Sequence, residues 1–80
     1  MKWEKAISQI ETALANGLEV EIRYHRKWTR NANDFKWGMV TDVSEYKWHG
    51  QICKAINTHF DQLNEGTHIV DEVNTWKEGD

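Results

Sequence analysis

The stretch LEVEIRYHRKW, residues 18–28, alternates apolar and polar side chains almost without a break. Leu18, Val20, Ile22, Tyr24 and Trp28 fall on one face of an extended chain. Glu19, Glu21, Arg23, His25 and Lys27 fall on the other. A helix would scatter these residues round its axis, whereas a strand sorts them into a dry face and a wet face. The alternation therefore predicts a half-buried strand over 18–28 in a sheet open to water on one side. Arg26 lies on the apolar face near the strand end and marks where the chain leaves the core.

The flanks build outward from that strand. Trp3, Ile7, Ile10 and Leu14 recur at spacings of four, three and four, with Ala6 and Ala13 beside them. That stripe predicts an amphipathic helix over 3–16, stopped at Asn16–Gly17, where glycine accepts the left-handed conformation. TRNAND, residues 29–34, is turn chemistry, because Asn and Asp bond locally to the backbone. After it, Phe35, Trp37, Met39 and Val43 resume an alternation, so 18–28 and 35–43 predict an antiparallel hairpin. Tyr46 and Trp48 change parity and imply a bulge, a turn or the start of a helix. Ile52, Ile56, Phe60 and Leu63 suit a second helix over 50–64, with Gly66 as its stop. Over 67–76 the spacing of Ile69, Val73 and Trp76 suits a helix, while the β-branched cluster Thr67, Ile69 and Val70 favours a final strand, whose Asp71 or Glu72 would pair with the basic edge of the hairpin.

The predicted fold is α+β: one two-layer domain over 1–80 in the order α-β-β-α-β, with two helices on one face of a three-stranded sheet. Eighty residues bury only about 60% of the unfolded surface, so the core is modest and five tryptophans are too many for it to hide. Trp3 and Trp37 are expected inside, and Trp28, Trp48 and Trp76 at element ends.

Charge is segregated along the chain. The net charge of −3 conceals a basic segment, where Arg23, Arg26, Lys27, Arg30 and Lys36 outweigh Asp34. It also conceals an acidic end, where Asp61, Glu65, Asp71, Glu72, Glu78 and Asp80 outweigh Lys77. Arg23, His25, Lys27 and Lys36 are expected together on the wet sheet face, with Trp28 and Arg30 at the hairpin tip. These six are the candidate binding residues. Cations beside exposed aromatics suit a protein-docking hot spot or a nucleic acid, where they neutralise phosphate and stack on bases. The plainer reading is a solvated face whose charges pair with Glu19, Glu21 or the acidic end. The acidic segment itself is a second candidate contact surface, fitted to a basic partner.

Catalytic and metal signatures are weak. Glycines are scattered rather than gathered into a phosphate-cradling loop, and neither Ser8 nor Ser44 sits in a nucleophile elbow. His49 and Cys53 would share a helix face, but two ligands do not make a zinc site. Cys53 with His49 or His59 is the one thiol–base pairing available. Neither a cofactor nor a metal is expected, nor is an enzyme. A lone cysteine forms no internal disulfide. The charged N-terminus is unlike a signal peptide, and no apolar run approaches the roughly 18 residues a membrane helix needs. The expectation is a cytoplasmic, non-catalytic binding protein: a modulator or inhibitor of a larger protein. Size and charge suggest a phage-type antagonist of a nucleic-acid-handling host defence complex. The alternative is a nucleic-acid-binding module that uses hairpin 23–37. The unpaired hairpin edge also offers a homodimer contact.

Overall fold

The structure, a computed structural model, describes residues 1–79. Asp80, counted above in the acidic segment, lies outside the described residues. Helix α1 spans Trp3–Ala15 and buries Ala6, Ile7, Ile10 and Ala13, the stripe read from the sequence. It ends in a Schellman cap. Leu18 N–H donates to the Ala13 carbonyl and Gly17 N–H to that of Leu14, both at 3.0 Å, and Gly17 sits at φ 72°. Two carbonyls that would end the helix unpaired are thereby satisfied.

Five antiparallel strands follow: β1 Glu19–Arg26, β2 Lys36–Trp48, β3 Gln51–Thr58, β4 Gln62–Asn64 and β5 His68–Trp76, with a 3₁₀ turn at Ala32–Asp34. They form one sheet in the order β4-β3-β2-β1-β5. Among the described residues α1 is the one α-helix, so the fold is α+β but dominated by its sheet, and the expected second helix is absent. The misreading has a plain cause. A spacing of four is even, so Ile52 and Ile56 share one face of a strand as readily as one face of a helix. The chain reverses at His49–Gly50, both at positive φ (49° and 77°), and again at 58–61, where Thr58 N–H donates to the Asp61 carbonyl at 2.8 Å. Neither reversal is compatible with a helix through 50–64.

The sheet order forces curvature. Strands β4 and β5 lie at opposite edges, and four inter-strand steps of about 4.8 Å put those edges roughly 19 Å apart if the sheet is flat. Residues 65–67 join them, and even fully extended the path from Asn64 to His68 covers only about 14 Å. The link is in fact a turn, with Thr67 N–H bonded to the Asn64 carbonyl at 3.0 Å. The sheet must therefore curl into a half-closed barrel. Strand β2 turns the corner, pairing with β1 through Lys36–Met39 and with β3 from Val40 onward.

Inside the curl, Val20, Ile22, Tyr24, Val40, Ile56, Leu63 and Val70 pack with the buried stripe of α1. Leu18, Val20, Ile22 and Tyr24 face inward as their alternation predicts. Residues 35–43 do not keep one parity. A bulge at Thr41 separates Val40, opposite Thr58, from Asp42, opposite Asn57. A bulge adds one residue and exchanges faces beyond it. Val43 thus points inward, while Trp37, expected in the core, lies outside at 67% exposure. Trp3 packs half-buried against the core. Among the described residues, no helix is long and apolar enough to cross a membrane.

Candidate functional site

The six candidate residues divide between two places. Arg23 stands on the outer sheet face, opposite Trp37 on β2 and Glu72 on β5. Its Nε is 3.6 Å from Glu72 Oε2. Both side chains are well exposed, so the pair contributes little. His25 is half-buried on the same strand. Its Nδ1 lies 2.7 Å from Asp71 Oδ2, and its ring tilts over Phe35 at 4.4 Å between centroids. Asp71 reaches it because β5 is bulged there: Arg23 opposes Glu72 and Tyr24 opposes Val70, leaving Asp71 as the extra residue. The expected pairing of β5 carboxylates with the basic strand is therefore present.

Trp28, Arg30 and Lys36 gather elsewhere. Together with Arg26 and His68 they line a cleft of ≈ 650 Å³ at the open end of the curled sheet, with Tyr24 and Asp61 in its wall. His25 reaches the same cleft from the outer face. Lys36 opposes Tyr24 in the β1–β2 ladder, so it shares the inner face with Tyr24 and not the outer face with Arg23. The expectation of one open sheet face carrying Arg23, His25, Lys27 and Lys36 is corrected accordingly. Lys27 is exposed. Its backbone N–H bonds to the Thr67 carbonyl at 3.0 Å, pinning the end of β1 to the β4–β5 link.

Tyr24, Arg26, Asp61 and His68 also line the cleft and were not among the six candidates. Tyr24 was assigned to the core and is buried, yet its hydroxyl donates to Asp61 Oδ2. That bond ties β1 to the β3–β4 turn across the open side. Burial, reinforced by the Asp61 carboxylate, pushes the Tyr24 phenol up to about 12. His68 packs edge-on to Tyr24 at 5.9 Å. Burial lowers the His68 pKa first. Asp61 opposes that shift, and the nearby Arg26 and Lys36 cations lower it further. Arg26 had left a trace in the sequence as the cation that broke the strand's parity. Asp61 had been counted only with the acidic segment and His68 had left no trace, because only the closed sheet brings them to β1.

Among the described residues, no carboxylate lies within 4 Å of the Arg26, Arg30 or Lys36 cations. Trp28 beside them is 74% exposed. The thiol lies apart from this cleft. Cys53 opposes Tyr46 in the β2–β3 ladder, and His49 occupies the turn, so the helical His49–Cys53 spacing does not arise. Among the described residues, no three His, Cys, Asp or Glu side chains are grouped to hold a metal ion. Comparison with protein-family models, curated proteins and solved structures finds no match to this chain.

Proposed function

We propose that the protein is a non-catalytic binding module that docks on an acidic site of a larger protein through the open end of its sheet. The observation that carries this reading is the convergence of Arg26, Arg30 and Lys36 around one cleft, with Trp28 bare beside them. Arg and Trp are the side chains that dominate binding energy at protein interfaces. Unpaired cations steer an acidic partner in and fix its register.

A nucleic acid is the second reading, supported by the same cations next to an aromatic face suited to base stacking. The rest of the surface weighs against it. Asp34 and Asp61 line the cleft itself, and Asp71 and Glu72 stand on the adjoining strand. A strand of phosphates tracking past the cleft would meet all four of these carboxylates, whereas one acidic loop seated in the cleft would meet only Asp34 and Asp61. A nucleic-acid-handling complex is the partner class we propose, with this small protein acting on it as a phage-type inhibitor.

Charge reversal tests the site. Arg30→Glu with Lys36→Glu is expected to abolish capture of the partner from a bacterial lysate, with little loss of stability, because exposed charges contribute little to folding. A folded double variant that captures the same protein undiminished refutes the docking surface. Anisotropy titrations with single- and double-stranded oligonucleotides at low salt separate the readings. Tight binding that weakens steeply with salt would replace the protein partner with a nucleic acid.

A further inference from the structure

A second surface, on the opposite side of the sheet order, stands independently of the cleft. Strand β4 covers β3 only at Ala55–Asn57. Among the described residues, nothing pairs with the outer side of Gln51–Lys54. The backbone direction there follows from the turn. His49–Gly50 is a two-residue connection with both residues at positive φ, which makes Trp48 and Gln51 a hydrogen-bonded pair. Alternation then assigns Cys53 to β2 as well and turns the N–H and C=O groups of Ile52 and Lys54 outward. The next residues in that alternation behave accordingly: Ile56 pairs with Leu63 of β4, and Thr58 N–H bonds to the Asp61 carbonyl.

Beside this open edge runs a groove against α1, lined by Trp3, Ile7 and Ile52 with Glu4, Glu11 and Glu65. Ile52 shares the inner face with buried Ile56 but is 66% exposed, because the helix does not extend over it. Among the described residues, Lys54 is the one cation lining the groove. Its Nζ is bound by both Glu11 oxygens at 2.8 and 2.9 Å, which leaves Glu4 and Glu65 without it. Exposed edges are normally blunted by charge, proline or a bulge. Strand β5, the other edge, has its bulge at Asp71 and carries Asp71 and Glu72. On β3 the one such device in Gln51–Lys54 is Lys54, whose charge is held by Glu11, and Ile52 beside it adds none.

We propose that the β3 edge from Gln51 to Lys54 receives an extended basic segment of another protein as an added strand. Its apolar side chains would lie on Trp3, Ile7 and Ile52, and its cations against Glu4 and Glu65. Main-chain bonds to Ile52 and Lys54 hold the segment, and alternate side chains select it.

The probe is a capped heptapeptide of alternating lysine and valine, with a glutamate–valine peptide as control. Binding of the lysine peptide to the wild-type chain is expected to slow amide hydrogen exchange at Ile52 and Lys54, while the glutamate peptide does not bind. Ile52→Pro removes the outward donor without touching the β2 ladder, a position where proline is tolerated. It should weaken binding about tenfold, equivalent to one lost edge bond with its acceptor left unpaired. Ile52→Ala keeps the donor and should weaken binding less. The exchange measurement stands even if the proline variant does not fold. No protection at Ile52 and Lys54, equal binding of the glutamate peptide, or full affinity in a folded Ile52→Pro variant overturns the proposal. So does protection that appears without peptide and grows with protein concentration, because the occupant is then a second copy of this chain.

Discussion

Removing one oxygen from Tyr24 tests how the open end of the sheet is held. Tyr24→Phe keeps the ring in the core and deletes only the hydroxyl that donates to Asp61. A hydrogen bond to a charged acceptor contributes about 1.5–3 kcal/mol, so the variant should lose about 2 kcal/mol at pH 8. For a domain of this size that corresponds to about 10 °C in Tm. The pH dependence gives a second, independent magnitude. The Tyr24 phenol is raised from 10.0 to about 12 by burial and by Asp61. Its folded pKa lies above the unfolded one, so its contribution is complete below pH 10 and is lost as pH climbs toward 12. A shift of about two units corresponds to roughly 2.7 kcal/mol, of which burial takes the first share. Urea denaturation of both proteins from pH 8 to pH 11.5 reads the gap between them. The gap should start near 2 kcal/mol and narrow steadily above pH 10, and Tyr46 and the lysines, which titrate in both proteins, cancel from it. A gap that stays constant with pH, or a variant as stable as the parent at pH 8, refutes the assignment of the Tyr24–Asp61 bond as the clasp.

Two further expectations follow from the same core and cleft. Leu63 is fully buried and anchors a strand of only three residues, so Leu63→Ala should cost about 2–4 kcal/mol. The urea midpoint checks this, and a loss below about 1 kcal/mol would show that β4 contributes little to the core. His68 should titrate by NMR with a midpoint below 6.5, because burial and the neighbouring Arg26 and Lys36 cations disfavour its charged form. Its contribution to stability is then complete above pH 6.5 and lost as pH falls through the lowered midpoint. Arg26→Ala should raise that midpoint, and an unmoved midpoint would place Arg26 too far away to act on the cleft.

The sequence by itself determined the elements whose signals are local. The stripe of α1, its Asn16–Gly17 stop, the faces of β1 as far as Tyr24 and the acidic strand facing the basic one were all legible. Helical period, cap chemistry and strand alternation act between residues a few positions apart. What failed had a non-local cause. The four-residue spacing of Ile52 and Ile56 satisfies both a helix and a strand, and only the ladder with β2 chooses between them. The single parity read across 35–43 was broken by the bulge at Thr41, so Trp37 went outward while Val40 and Val43 both went in. The six candidate residues do not share the one sheet face expected of them. Trp28, Arg30 and Lys36 meet Asp61 and His68 only because a three-residue link draws the two edges of the sheet together. Local chemistry chose the side chains, and closure of the sheet decided which of them share a cleft, because that distance depends on the path of the whole chain.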